Sequence, residues 1–574
     1  MRFLAKYFNK QFFKKNKFLI CIVVISCFPL IIIFLNPQPP HTSDGAMHAI
    51  RFATFYKEVS EGQFPVRWTS QFHYGYGTML FNFVYPLPYL VALPFIAMQI
   101  SPTTTLNISF LLTFILAGIG MYLFASSFFK DRRTAFLVTL LYQFAPFRLV
   151  EMLVRGNIGS LYAYAIVPFL FFSILNFLKK KTYISWLLIA ISVSLLTLSH
   201  TILGFAFLAV SGAFVLIFSK KLKEIIATYG AFIAGITLSS YFIIPAVLEE
   251  KYTNGYLFTK DVFHHHFPSL WALLLPNFTD SSSLRIAEIS VQIGLFHVLS
   301  LFVGIFLLIR NRFEKQYKLI VIFFIVVAVA TIVFMQPIAK PLWENVSFIR
   351  QFQFPWRFLG LIAFTTSILG GFIFSKIIFL RKNLYFITLC ILIVFSTVYY
   401  WRPTQGYDNY DQSFYWNYPL TTNYFSEVNT IWMGREPTEF PTKKVDVIGG
   451  EAQIISSDRK STMHYYEIIA KKPSNILDHT FFFPGWKVYV NENEVPIQFQ
   501  DPAFPGMITF QIPEGKNIVR VQFEQSKIQQ LGNILSISLI LLLGIISISF
   551  FFVKRSESLK YPYPFIGKGF FKRS

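Results

Sequence analysis

The sequence predicts an α-helical polytopic membrane protein of about twelve spans, with a small extracytoplasmic β-sandwich towards its C-terminal end. Composition is the first reason. Of 574 residues, 54% are hydrophobic and only 14% are charged, whereas a soluble domain carries roughly 25% charged residues. That is too little charge to cover a water-exposed surface, which excludes a soluble globular protein, a disordered chain and a disulfide scaffold. The second reason is the recurrence of apolar runs long enough to cross a bilayer, which takes about 20 residues. The third is where the net charge of +22 sits. Seven short segments between the apolar runs (1–17, 130–133, 179–181, 220–224, 310–318, 381–382 and 554–573) hold 27 of the 51 Lys and Arg but only four acids. The long polar stretch 402–530 instead holds 12 basic and 15 acidic residues. Basic clusters in membrane-flanking loops are the mark of cytoplasmic loops, so the pI requires no nucleic-acid partner.

Spans are expected near 18–36, 104–129, 134–150, 160–178, 183–199, 201–218, 225–245, 289–309, 319–335, 357–379, 384–401 and 532–553. Both termini then lie in the cytoplasm, and every basic cluster falls on that side of a plasma membrane. The first span follows a Lys-rich start. Asn36-Pro-Gln-Pro-Pro40 follows it without a small-residue cleavage site, so it reads as an uncleaved anchor. The stretch 82–100 contains Pro86, Pro88 and Pro94. Counting it as a span would put Lys130-Asp-Arg-Arg133 outside, so it reads as an interfacial segment. Cys21, Cys27 and Cys390 all fall inside spans and form no exported framework. The expected organisation is a bundle over 1–401 with outer loops 37–103, 246–288 and 336–356, a β-rich outer domain over 402–530, and a last span with a basic tail over 531–574. Alternation in Lys487-Val-Tyr-Val490, Met507–Ile512 and Ile518–Phe523, with polar turns at 491–494 and 513–516, predicts the strands of that outer domain.

Ionisable residues beside a membrane site are costly to bury and usually functional. In Ser43-Asp-Gly-Ala-Met-His-Ala-Ile-Arg51, steps of four and three put Asp44, His48 and Arg51 on one helical face. A carboxylate, an imidazole and a guanidinium there could activate a hydroxyl and hold a phosphate. The alternative is a solvated loop helix merely capped by Asp44. Arg148, Glu151 and Arg155 repeat that spacing, either to grip an anionic head group or as an internal ion-pair triad. His200 joins two spans near the outer face, as a ligand or as helix packing. Glu249 and Glu250 end the seventh span, and Arg350 and Arg357 flank a proline at a membrane entrance, where they would suit a lipid-linked phosphate or serve as snorkelling anchors. The aromatic and glycine-rich Phe72-His-Tyr-Gly-Tyr-Gly77, just after Trp68, would suit sugar stacking or an interfacial belt. His264-His-His266 lacks metal-ligand spacing. No Walker loop, dinucleotide fingerprint or CxxC pattern occurs.

Taken in order, Asp44-Gly, His48, Arg51, Pro65-Val-Arg-Trp68, Gly75-Tyr-Gly77, Tyr85-Pro-Leu-Pro88, Arg155-Gly-Asn, Ser199-His200, Phe242-Ile-Ile-Pro245, Gln353-Phe-Pro-Trp-Arg357 and Phe483-Pro-Gly-Trp486 resemble the YfhO-like membrane proteins and the related family labelled 6-pyruvoyl-tetrahydropterin synthase-related. These in turn are similar to the GT-C superfamily. That resemblance implies a glycosyltransferase using a polyprenyl-phosphate sugar donor at the outer face, inverting, with a cell-envelope glycan, lipid or protein as acceptor. It implies Asp44 as the catalytic acidic residue of the first outer loop. An inverting transfer needs a base near the acceptor and cations near the leaving phosphate, so Asp44 is the candidate base with His48 beside it on the same face, and Arg51, Arg155, Arg350 and Arg357 are the candidates for the lipid phosphate. A metal-orienting role for Asp44 stays open, and with it a divalent cation; no other cofactor is implied. Where a further acid is expected after Arg155-Gly, this chain has Gly159-Ser160. The non-enzymatic alternatives are a lipid-linked glycan transporter and an envelope scaffold.

Overall fold

The computed structural model describes residues 10–36, 38–255, 260–276, 278, 289–422 and 426–560; the basic ends 1–9 and 561–574 and part of the outer loop 246–288 lie outside them. Among the described residues, seven helices are long and apolar enough to cross a membrane: Asn16–Leu35, Pro102–Phe129, Ile158–Lys180, Thr201–Phe218, Lys315–Phe334, Pro355–Lys376 and Lys527–Ser549. Two bent pairs raise this to nine. In the first, Arg132–Gln143 and Pro146–Arg155 meet at 49°. Pro146 has no N–H to continue the helix and forces Ala145 into extended backbone (ψ 128°). In the second, Leu222–Leu238 and Ser240–Leu248 meet at 73°, where the Ser239 hydroxyl turns back onto the Gly235 and Ser194 carbonyls. Every expected span contains a helix. Three of them, Tyr183–Ser199, Leu295–Ile309 and Asn383–Phe395, have 17, 15 and 13 residues and fall short of the bilayer alone, so twelve exceeds the number the helices themselves support. Leu87–Ala97, the expected interfacial segment, is also short, at 11 residues.

Ile158–Lys180 and Pro355–Lys376 form the centre of the bundle, with 89% of an apolar 18-residue stretch buried in each, while only 17% of such a stretch is buried in Lys527–Ser549, which lies at the edge. Six antiparallel strands follow among the described residues: β1 (Val445–Lys460), β2 (Met463–Phe481), β3 (Trp486–Val490), β4 (Asn493–Val495), β5 (Met507–Ile512) and β6 (Gly515–Phe523). The expected sandwich is built from one sheet, in the order β1-β2-β6-β3-β4. The two halves of β2 hold different partners, residues 463–470 pairing β6 and 474–481 pairing β5. Side chains from both halves, Ile468 and Ile476 among them, close on one apolar core with Val488, Phe510 and Val519.

The first outer loop is clamped between bundle and sheet. Trp68 and Tyr76 belong to the core of the sheet, and Trp68 meets Trp486 edge-on at 5.2 Å. Gly77 has φ +80°, and a Cβ there would come 2.3 Å from Trp68 Cζ2. Trp68 is 1% exposed, so this ring joins loop to sheet and is open neither to a sugar nor to a membrane surface.

Candidate functional site

Asp44 precedes the helix Gly45–Ser60 without making a side-chain cap bond; Thr42 Oγ1 accepts the Gly45 N–H instead, at 3.0 Å. The capping alternative therefore fails. Asp44 is held from the other side of the pocket. Its N–H donates to the Arg155 carbonyl at 2.7 Å, and its Oδ2 accepts from Asn157 Nδ2 at 3.0 Å, with Arg155 Nη2 at 3.7 Å. Asn157 caps the helix Ile158–Lys180, its Oδ1 accepting the Ser160 N–H at 2.9 Å. That bond turns the amide so that its NH2 faces Asp44. Gly156 makes the turn possible. It sits at φ +69°, and a Cβ there would lie 2.4 Å from Thr42 Oγ1 and 2.9 Å from the Gly45 nitrogen. Gly159, where an acid is missing, meets Tyr85: a Cβ would be 2.3 Å from its Cζ. No side chain fits there.

A pocket of about 290 Å³ opens above Asp44. His48, Arg51, Arg155, His200 and Arg357 line it, so six of the eleven expected residues converge. His48 Nδ1 shares a hydrogen bond with the Tyr89 hydroxyl at 3.0 Å. Burial, aided by the Arg51 cation, holds this imidazole at about 3, so it is neutral and a weak base. Arg51 donates from Nε and Nη2 to the Thr422 hydroxyl and carbonyl at 2.9 and 2.6 Å, tying Thr422 to the pocket wall. Arg155 pairs with Glu151 through Nη1 and lies over the Trp356 ring at 4.7 Å. Arg357 donates to the Phe352 carbonyl and Gln353 Oε1, both at 3.0 Å, and lies over Phe354 at 4.6 Å. His200 stacks on Tyr85 at 5.3 Å. Three guanidiniums thus face two lining carboxylates, Asp44 and Glu427, which suits an anionic ligand.

The other candidates lie elsewhere. Glu151 sits behind Arg155, as the triad reading had it for that pair. Arg148 is fully buried over the Tyr142 ring, at 4.5 Å. Arg350 donates to the Glu344 carbonyl and lines none of these walls. Glu249 is locked among Asn82, Gln529 and Ser526, with Arg67 bound to the same Asn82. Glu250 accepts from Gln351 at 3.3 Å and lines the adjoining cavity. Asn157, Tyr85, Tyr89 and Gln353 carry the site but were given no role from sequence; the Arg155-Gly-Asn, Tyr85-Pro-Leu-Pro88 and Gln353-Phe-Pro-Trp-Arg357 runs signalled three of them, and Tyr89 had no signal. Among the described residues, no three His, Cys, Asp or Glu are grouped to hold a metal ion.

A family model described as 6-pyruvoyl-tetrahydropterin synthase related domain, membrane protein, matches residues 81–404. No curated protein matches the chain. Among solved structures, the oligosaccharyltransferase of Archaeoglobus fulgidus in the apo form is similar at 12% identity and TM-score 0.44, over 77% of this chain and 62% of that one. The same organism's AglB, in complex with an inhibitory peptide and a dolichol-phosphate, is similar at 13% identity and TM-score 0.45, over 75% and 62%. The mycobacterial arabinofuranosyltransferase AftD is similar at 12% identity and TM-score 0.44, over 67% and 26%. The chain thus spans about three fifths of the length of the archaeal proteins, matching 62% of each.

Proposed function

The chain belongs to the 6-pyruvoyl-tetrahydropterin synthase related family of membrane proteins, and from that premise we propose that it is an inverting glycosyltransferase. It moves a sugar from a polyprenyl-phosphate donor to an envelope glycan, lipid or protein at the outer face of the plasma membrane. Residues 1–401 form the catalytic bundle, 402–530 the outer domain and 531–574 the last span with its cytoplasmic tail; the N-terminus is cytoplasmic too.

One observation carries this reading: the polar pocket and an apolar groove lie on either side of a cavity that shares wall residues with each. The pocket shares Thr201, Ile202 and Gln353 with this cavity of about 480 Å³. That cavity shares Phe205 and Phe348 with a groove of about 460 Å³, lined by Ala209 and Ala213 of one candidate span and Val326 and Ala330 of another. A ligand with an anionic head and a long hydrocarbon tail matches both ends.

In the transfer, the acceptor hydroxyl gives its proton to Asp44 as its oxygen attacks the anomeric carbon opposite the phosphate. The bond from that carbon to the phosphate oxygen breaks, and its electron pair leaves with the polyprenyl phosphate. Arg155 and Arg357 offset the charge that develops there. One displacement inverts the anomeric centre. The neutral His48 orients by hydrogen bonding and leaves the base role to Asp44.

The two bent helix pairs favour a second reading, a lipid-linked glycan transporter, because transporters build their sites at broken helices. Transfer from radiolabelled polyprenyl-phosphate sugars by the purified protein separates the two. Ala213→Phe should raise the KM for a long-chain donor about tenfold, the loss of roughly two buried CH2 groups at ~0.8 kcal/mol each, and leave a ten-carbon donor unaffected. Equal effects on both donors would reject the groove as the site of the tail, and transport without transfer would reject the glycosyltransferase reading.

A further inference from the structure

A second cavity, of about 380 Å³, lies where the far end of the Gly45–Ser60 helix meets β1 and its turn into β2. It sits about 20 Å along that helix from Asp44, at 1.5 Å per residue. Among the described residues, Lys57, Lys444, Arg459 and Lys460 line it against a single carboxylate, Glu61, whose Oε2 already accepts the Ser461 N–H at 2.7 Å. Among the described residues, none of the three lysines has an ion-pair partner. Elsewhere on the sheet, Lys471, Lys487, Lys516 and Arg520 each face a carboxylate, at 2.6, 3.1, 2.7 and 3.1 Å. Unpaired cations around a concave wall focus a positive potential on its centre.

The same cavity has an aromatic wall. Tyr74 meets Phe440 edge-on, with ring centroids 5.4 Å apart. The backbone that delivers Tyr74 is unusual: His73 and Tyr74 have φ +53° and +54°, a left-handed conformation costing roughly 1–2 kcal/mol per non-glycine residue. The Tyr74 N–H is held by the Pro419 carbonyl at 2.8 Å. Strain of this kind gathers at binding sites.

We infer that this cavity binds an acidic saccharide, its carboxylate or phosphate among the lysines and the C–H face of its ring on Phe440 and Tyr74. An acidic glycan of the envelope is the natural source. Binding needs no donor and no transfer at Asp44, so its failure leaves the catalytic reading standing.

The test is calorimetric titration of the full chain, in nanodiscs of neutral lipid, with tetragalacturonic acid, its neutral methyl ester and inorganic phosphate. Lys444 and Lys460 are exposed, so Lys444→Ala/Lys460→Ala keeps the fold; Arg459, bound to Gly75, His464 and Thr480, is left alone. The acid should bind, the ester and the double variant should each bind at least about tenfold more weakly, the step of one lost charge contact, and Phe440→Ala should weaken the acid but not phosphate. No binding of the acid, equal binding of acid and ester, an unaffected double variant, or phosphate binding as tightly as the saccharide would each overturn the inference.

Discussion

Replacing Gly156 by alanine would put a methyl group 2.4 Å from Thr42 Oγ1 and 2.9 Å from the Gly45 nitrogen. The φ of +69° costs an alanine about 1–2 kcal/mol by itself, and overpacking adds about 1–3 kcal/mol. Thr42 cannot simply rotate away, because its hydroxyl holds the Gly45 N–H at 3.0 Å. The Gly45 nitrogen is backbone and moves only with the start of its helix. Relief therefore slides Asp44 away from Arg155 and Asn157, which hold it at 2.7 and 3.0 Å. A misplacement of about 1 Å costs about 10²-fold in rate, so kcat/KM for Gly156→Ala should fall by that factor or more while the thermal midpoint drops by a few degrees. Gly406→Ala is the control, since its φ is +81° but nothing lies within 4 Å of its Cβ; it keeps the backbone term and loses the clash. Both are measured by transfer assay and thermal unfolding in one detergent. Near-normal turnover in Gly156→Ala would refute the claim that this turn positions the site.

Glu58 is fully buried between loop and sheet, accepting from Ser70 and Ser461, and burial pushes its carboxyl from 4.5 up to about 7. Its contribution to stability is therefore complete below pH 4.5 and declines as pH rises to 7, by up to about 3 kcal/mol; Glu58→Gln should flatten thermal stability across that range, and an unchanged pH profile would contradict it. Arg357→Gln removes a buried guanidinium from the pocket wall, and a charge-assisted bond is worth about 1.5–3 kcal/mol. The donor KM should rise about 10- to 100-fold, as read from initial rates, with the acceptor KM unmoved.

How far the sequence reaches depends on the range of the contact. Steps of four and three residues put Asp44, His48 and Arg51 on one wall because a single helix sets them. Strand alternation located β3, β5 and β6 for the same reason. The role of Asn157 could not be read from its run, because it rests on a cap bond to Ser160 and a second bond to Asp44, 113 positions away. Glu249 and Arg350 looked available because local sequence does not show that Gln529 and Glu344 occupy them. Periodicity cannot tell a continuous span from one bent at Pro146 or Ser239, nor two sheets from one whose long β2 serves both halves. The apolar runs were therefore legible, and the number that cross alone was not.

The central claim is that Asp44 is the base of a sugar transfer from a lipid-linked phosphate. Asp44→Asn keeps the size of the side chain and can still meet Asn157, and Arg155 retains Glu151, so the fold should hold. The direct measurement is single-turnover transfer of radiolabelled sugar from a polyprenyl-phosphate donor by wild type and Asp44→Asn, with donor binding measured alongside. Rate should fall by about 10²-fold or more, the scale of a lost general base, while donor affinity stays within about threefold, well under one tenfold step of 1.4 kcal/mol. Wild-type transfer with an Asp44→Asn rate close to it would contradict the assignment and move catalysis to another group.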